Sequence, residues 1–350
     1  MMLLRRFPPQ PALALLACLA AAAPAPAADA PPPDEVVLQN GSKILGTITA
    51  SRDGKLKIET DFAGTLTISL DQVQSMRTAE PVVIKLADDQ VISGQPLQVE
   101  DDKLVLSSPA EPARTYAVDE LLVVNPEPWE LGIGHKWTGL VSFAMTMQRG
   151  NTDTDELDYK LETVWRSQKD RYTLRLNGEL DEADGQKNAD NWMAQGKYDY
   201  FVGDRTYYGF SALAEHDKFT DLDLRYVLGP YIGRQFYDDP VFTLAGELGL
   251  SYVDEDYIVA EDDHYVAATW EFRASSNYLG GDSRLYVENN GLWDLEETSD
   301  YIVNTIFGLS FPLLWSLEAA AEILLEYDAG AVAGVDKLDE TYSFRIGYTW

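Results

Sequence analysis

Apolar and polar residues alternate with a period of two along most of this chain, and the length of the alternating runs changes once. From Trp137 onward the runs extend to about ten to fifteen residues and continue to the end. Leu157, Tyr159, Leu161 and Trp165 alternate with Asp158, Lys160, Glu162 and Arg166. Tyr172, Leu174, Leu176 and Leu180 alternate with Arg171, Thr173, Arg175, Asn177 and Glu179. Leu222, Leu224, Tyr226, Leu228 and Ile232 alternate with Asp221, Asp223, Arg225 and Gln235, and Leu317, Ala319, Ala321, Ile323, Leu325 and Tyr327 with Glu318, Glu322 and Glu326. A period of two is that of a β-strand, whose successive side chains leave opposite faces. Strands of a soluble sandwich are shorter, about five or six residues. The pattern therefore predicts an all-β fold: roughly 12 antiparallel strands closed into a transmembrane β-barrel over 137–350, apolar face to lipid and charged face to the lumen.

The final segment, YSFRIGYTW, follows the same rule. Tyr342, Phe344, Ile346, Tyr348 and Trp350 are predicted to face lipid, with Ser343, Arg345 and Thr349 inside. The strand is expected to close the barrel against the first strand near Trp137. Its ending resembles the C-terminal signal that outer-membrane barrels present to the barrel-assembly machinery, except that Arg345 stands where that signal often has Gly.

The connections suggest a sidedness. The even-numbered ones read as short turns: Gln168-Lys169-Asp170, Gly203-Asp204-Arg205, Asp238-Asp239-Pro240, Gly280-Gly281-Asp282 and Pro312-Leu313-Leu314. Most odd-numbered ones read as longer and acidic, from Asp181 to Asp190, Asp254 to Asp263, Asp294 to Asp300 and Asp328 to Asp339. Short periplasmic turns and longer outer loops are the asymmetry of outer-membrane barrels.

Ahead of the barrel the runs are short and repeat. VVLQNGSKILGTI…KLKIET and VVIKLADDQVISGQPL…KLVLSS align Val36 with Val82, Gly46 with Gly94, Leu56 with Leu104 and Asp71 with Asp119. The units, 34–80 and 81–125, read as short strands broken by Gly and Asp turns, with Asn40-Gly41 a strong hairpin signal. Their pattern looks like a small Sm-like or SH3-like barrel. Two barrels and one joined β-domain both fit it. The domain is expected in the periplasm, either as a spacer with its own core or as a module facing a periplasmic protein or peptidoglycan. A linker, 126–136, joins it to the barrel.

The N-terminus reads as a signal peptide over 1–27, with Arg5 and Arg6 before an apolar run from Ala12 to Ala23 and an A-x-A site at Ala25-Pro26-Ala27. A short linker, 28–33, follows. Cys18, the sole cysteine, lies in this segment, where Leu15-Leu16-Ala17-Cys18 also makes a loose lipobox. The net charge of −31 argues against nucleic acid as a partner. The 19 tyrosines and 8 tryptophans, nearly all beyond Pro128, fit interfacial aromatic belts. Outer-membrane lipid and lipopolysaccharide are the expected surroundings.

Three segments carry a resemblance: Gly150-Asn151-Thr152-Asp153-Thr154, KYDYFVGDRTYY from Lys197 to Tyr208, and DLDLRYVLGPYIGRQFY from Asp221 to Tyr237. With them the chain resembles the salt-induced outer-membrane proteins, a family catalogued as a domain of unknown function. The likeness covers about three fifths of the chain, and some members carry a similar N-terminal extension. It implies a barrel in a Gram-negative envelope and implies no reaction.

Catalytic chemistry finds little material. His135, His216 and His264 are the only histidines. Barrel lipid hydrolases use a Ser and a His close together, but the odd separation of Ser211 and His216 places them on opposite faces of a regular strand. No catalytic residue, cofactor or resident metal is expected. The acidic run Glu255, Asp256, Glu261, Asp262 and Asp263 has hard oxygen ligands but lacks the EF-hand spacing. The richest set is the expected lumen lining: Glu162, Glu179, Asp199, Asp223, Glu247, Glu271, Glu318, Glu322 and Glu326 with Arg171, Arg175, Lys197, Arg225, Arg273 and Arg345. Two readings follow, a narrow, weakly cation-preferring channel for ions or small polar solutes, and a packed ion-pair network that fills a small barrel.

Overall fold

The structure, a computed structural model, describes residues 32–350 except 53, 88–89, 101–102, 109–110, 149–153, 239–240, 281–282 and 333. The signal peptide with Cys18, most of the following linker and nearly all of the Gly150–Thr154 turn lie outside the described residues. Residues 33–350 form one compact unit.

The repeats build one sheet and share one core. The first supplies β1 (Asp34–Leu38), β2 (Lys43–Arg52), β3 (Lys55–Thr60), β4 (Gly64–Ser69) and β5 (Val73–Arg77). The second supplies β6 (Val82–Leu86), β7 (Val91–Gln95), β8 (Leu97–Glu100), β9 (Lys103–Ser108), β10 (Glu111–Ala117) and β11 (Leu121–Val124). β1 and β2 meet through the expected Asn40-Gly41 turn, with Gly41 at φ 84°. Within each repeat the last strand pairs with the first, β5 with β1 and β11 with β6. Each last strand also crosses to the other repeat, β5 to β8 and β11 to β2. That reciprocal exchange makes a joined β-domain and rules out two separate barrels. Equivalent positions are buried in both halves, Val36 with Val82, Leu56 with Leu104, Val73 with Leu121, all in one cluster. Burying each such side chain contributes about 1.5–3 kcal/mol.

Residues 126–136 are an ordered connector. A 3₁₀ turn over Pro128–Leu131 is capped by Glu127 and Glu130, and the Glu127 carboxylate also accepts from Trp129 and from Lys136, each at 2.7 Å.

The barrel follows as a closed meander of twelve strands: β12 (Lys136–Gln148), β13 (Thr154–Arg166), β14 (Asp170–Ala183), β15 (Gln186–Phe201), β16 (Thr206–Asp217), β17 (Leu222–Asp238), β18 (Phe242–Tyr257), β19 (Asp263–Ser276), β20 (Arg284–Asp294), β21 (Tyr301–Pro312), β22 (Leu317–Asp328) and β23 (Leu338–Thr349). Each pairs antiparallel with the next, and β23 returns to β12. The end at which β12 begins is the near end, the other the far end. No helix among the described residues is long and apolar enough to cross a membrane. The barrel crosses by its strands, because its outer face is apolar. Phe143, Leu174, Phe210, Leu248, Phe272 and Phe307 all stand exposed on it. Aromatics crowd its near margin, where Trp137 and Trp350 pack edge to face at 5.6 Å and Tyr172 and Tyr198 lie 5.0 Å apart.

Two expectations need correction. The segment from Asp181 to Asp190 is not a long loop: β14 and β15 run through it and turn at Asp184 and Gly185, both at positive φ, as a type I′ hairpin requires. At the near end the connection 277–283 is longer than this far-end turn, so the asymmetry of connection lengths is weaker than the sequence suggested. The acidity of the far end comes largely from strand ends. The second correction concerns Leu222 and Asp223. A bulge between Leu222 and Leu224 shifts the alternation, so Leu222 is buried and Asp223 is exposed.

Candidate functional site: the charged lumen

Alternation sends the charged side chains of neighbouring strands into one interior. There they pair, because an unpaired charge removed from water is costly. The largest group sits at mid-depth. Lys197 on β15 bonds Glu247 on β18 and reaches Glu271 on β19 at 2.7 Å. Glu271 also accepts from Arg175 at 2.9 Å and forms an ion pair with Arg273 at 2.5 Å, and both guanidinium groups approach Glu162 on β13, at 3.3 and 3.8 Å. Toward the near end Arg171 donates to Asp199 at 2.6 Å and lies 3.8 Å from Glu247. Across the lumen Glu322 on β22 holds Lys160 at 2.9 Å and Arg345 at 2.8 Å. Toward the far end Arg225 is gripped by Glu215 and, at 2.5 Å, by Glu255.

Of the residues expected to line the lumen, the structure thus brings together Glu162, Arg171, Arg175, Lys197, Asp199, Arg225, Glu247, Glu271, Arg273, Glu322 and Arg345. Glu179 and Glu326 line a cavity at the far end, and Glu318 one at the near end. Asp223 does not belong to the set. The bulge in β17 turns it outward, where its carbonyl meets His216 Nδ1 at 2.6 Å. Ser211 faces the lumen and receives Gln195 at 3.2 Å, while His216 stacks on Trp192 outside.

Sequence reasoning missed the lumen tyrosines, because the tyrosine content as a whole fitted interfacial belts and no Tyr was placed inside. Tyr207 donates to Glu247 at 2.8 Å, Tyr231 to Asp199 at 2.5 Å, Tyr265 to Glu255 at 3.0 Å and Tyr286 to Glu322 at 2.6 Å. The signal was mid-strand glycine. Tyr207 faces Gly233 and Tyr231 faces Gly209 in register, and each ring lies over its glycine so closely that a Cβ there would meet ring carbons at 2.2 and 2.1 Å. With Phe201 these tyrosines form a small apolar cluster near the near-end mouth, where the Arg166 guanidinium sits 3.4 Å from the Phe201 ring and 5.5 Å from that of Trp129.

Among the described residues, three cavities stand out in the remaining space. One near the near end holds about 320 Å³, lined by Lys160, Glu162, Glu318 and Arg345 among others. One at mid-depth holds about 150 Å³, around Arg175, Lys197, Glu247 and Glu271. One at the far end holds about 210 Å³. Arg225 and Glu215 border both the middle and far cavities, and Arg345 both the far and near ones. Charge is graded along the axis. The far cavity is bordered by Asp158, Glu179, Asp217, Glu326 and Asp339, whereas Arg166 and Arg171 occupy the near mouth.

Hard-ligand oxygens meet at one place among the described residues: Asp158, Glu179 and Asp181 offer carboxylate oxygens within 4.8 Å of one another. The acidic run Glu255, Asp256, Glu261, Asp262 and Asp263 forms no such cluster among the described residues. Glu255 is engaged by Arg225, Tyr257 and Tyr265, and Asp262 accepts the Tyr257 amide. In the 295–300 connection, burial and the nearby Asp328, Glu255 and Asp294 hold the Asp300 carboxyl up at about 6.

Solved structures with a similar fold are outer-membrane barrels. The NanC porin aligns with 61% of this chain and 98% of its own at 12% identity and a TM-score of 0.39. Outer-membrane expressed OmpT of Vibrio cholerae aligns with 79% of this chain and 98% of its own at 10% identity and 0.32. The translocator domain of the autotransporter NalP from Neisseria meningitidis aligns with 63% and 88% at 12% identity and 0.33. These likenesses concern fold alone. No curated protein matches the sequence. Residues 141–350, more than half of the chain, match the family model described as "Protein of unknown function, DUF481", and the chain, an outer-membrane-type β-barrel, belongs to that family.

Proposed function

We propose that the protein is an outer-membrane barrel forming a narrow, weakly cation-preferring passage for ions and small polar solutes, closed at rest by its own ion pairs. The observation that supports this best is a lumen that keeps internal cavities bordered by ion-paired side chains, Arg225 between the middle and far ones and Arg345 between the far and near ones. A change of rotamer at these arginines would join the cavities without unfolding the wall. The acidic far cavity favours cations entering from that side. Planar-bilayer recording of the folded protein tests the reading. Small, reproducible, cation-preferring steps are expected, and silence from folded protein overturns it.

In this reading the far end faces outward, toward lipopolysaccharide, and residues 34–125 lie in the periplasm. The Sm-like or SH3-like look of the repeats and the kinship with salt-induced outer-membrane proteins belong to the same proposal, as does hand-over of the C-terminal strand to the barrel-assembly machinery. A second reading, a non-conducting binding protein, draws support from the N-terminal domain. Among the described residues its sheet has outer strands at β4, β7 and β10, to which an extended periplasmic segment could add. Cross-linking that recovers one partner through 34–125 would favour it. A lipid hydrolase has the weakest support, because Ser211 and His216 occupy opposite faces of β16.

A further inference from the structure

The barrel wall is matched strand to strand everywhere except where it closes. Other neighbouring strands in it are in register over ten or more residue pairs, as β12 with β13 from Lys136↔Arg166 to Gln148↔Thr154 and β22 with β23 from Leu317↔Tyr348 to Tyr327↔Leu338. β12 and β23 meet over four pairs, Leu140↔Thr349 to Phe143↔Ile346, joined at the near end by the mutual backbone bonds of Gly139 and Trp350. Beyond Phe143 and Ile346 the register would set Met145 opposite Phe344 and Met147 opposite Tyr342. These positions are not paired, although β12 stays bonded to β13 and β23 to β22 as far as their ends. The two strands therefore diverge, and a slit runs from mid-wall to the far rim.

The slit lies at lipid depth. From the near aromatic margin at Trp137 and Trp350, an apolar band about 25 Å tall is crossed by about ten residues of a tilted strand, which includes Met145 and Phe344. Side-chain exposure agrees: Phe344 is 83% exposed and Met145 64%, against 46% for Phe307 on the matched wall. Unpaired backbone is tolerated at that depth only where it borders protein or a water-filled space. Such a space is present, since Thr341 and Arg345 of β23 and Asp158 of β13 all line the far cavity.

We infer that the slit is a lateral doorway through which a cationic amphiphile passes between the membrane and the far cavity, its alkyl chain held by Met145 and Phe344 and its positive head by the cavity's carboxylates. The sign of the head follows from the charges. The carboxylates of Asp158, Glu179, Glu326 and Asp339 border the cavity, while its guanidinium groups are engaged, Arg225 by Glu215 and Glu255 and Arg345 by Glu322. The remaining lysine of the lining, Lys337, is held on the Ala329 carbonyl, so an anionic head would face a clear excess of carboxylates. The inference does not depend on conduction along the axis.

Two measurements on the folded full chain, in a Cys18→Ser background, test it. In the first, Met145→Cys with Phe344→Cys is oxidised beside Val141→Cys with Tyr348→Cys, a pair in register. The in-register pair should cross-link at least tenfold faster. Equal rates would mean a zipped seam and would overturn the doorway. In the second, native mass spectrometry in a non-ionic detergent compares dodecyltrimethylammonium with dodecyl sulfate. One ammonium surfactant should be retained per barrel, and Asp158→Asn with Glu179→Gln should lower its retention at least fivefold while heat-modifiable migration shows the barrel still folded. Equal retention of both surfactants, or retention unchanged by the neutralised carboxylates, would overturn the assignment of the head.

Discussion

At the scale of single residues the lumen is organised by a few cations shared among several acids. Lys197 is the clearest, its ammonium group buried between Glu247 and Glu271. Lys197→Met keeps most of the volume and leaves both carboxylates short of a partner, a loss of about 3–5 kcal/mol. Urea unfolding of the protein in liposomes should show it, and adding Glu247→Gln should return part of the stability. Asp300 makes a pH-dependent prediction. Its carboxyl ionises at about 6 in the folded chain, above the 3.8 of a free Asp, because burial and neighbouring acids disfavour the charge. A raised pKa means that the folded state binds the proton more tightly. Its stabilising contribution is complete below about 3.8 and is lost as pH rises through about 6. Hydrogen exchange in the 295–300 connection, corrected for intrinsic rates, should therefore slow between pH 7.5 and 5, and Asp300→Asn should abolish that part of the change. The residue scale is also where the sequence was least legible. Tyr207 and Tyr231 were given no face by the sequence, because an aromatic on an alternating strand looks the same on either face. Only the glycine opposite each one distinguishes them.

At the scale of elements, alternation announced almost every barrel strand, because one face meets lipid and the other meets charge along the whole wall. It failed where pairing shifts by one residue. The bulge at Leu222 and Leu224 exchanges the two faces, and nothing in the run LDLRY records that. Asp223→Cys should consequently react quickly with a membrane-impermeant maleimide, and Glu179→Cys at least tenfold more slowly. In the N-terminal domain the repeat was plain, but the exchange of β5 and β11 between repeats was not, since either connectivity gives the same local pattern. The shared core makes a prediction that separate barrels would not. Leu56→Ala and Leu104→Ala occupy equivalent buried sites. Each should cost about 2–5 kcal/mol and lower a single melting transition of residues 34–125, followed by circular dichroism. Two independent transitions would contradict the common core.

At the scale of the whole molecule, class and architecture were readable because a membrane-spanning wall imposes the same period on some two hundred residues, as the repetition over 137–350 shows. The state of the lumen was not, because it depends on which acid meets which base across strands far apart in sequence, as Lys160 and Glu322 or Arg175 and Glu271 do. The central claim is that these pairs partition a passage. Single-channel recording of the folded, heat-modifiable protein in planar bilayers, under a salt gradient, tests it most directly. The account predicts small, reproducible steps whose reversal potential favours cations. Folded protein that gives no steps, or steps that favour anions, would contradict it.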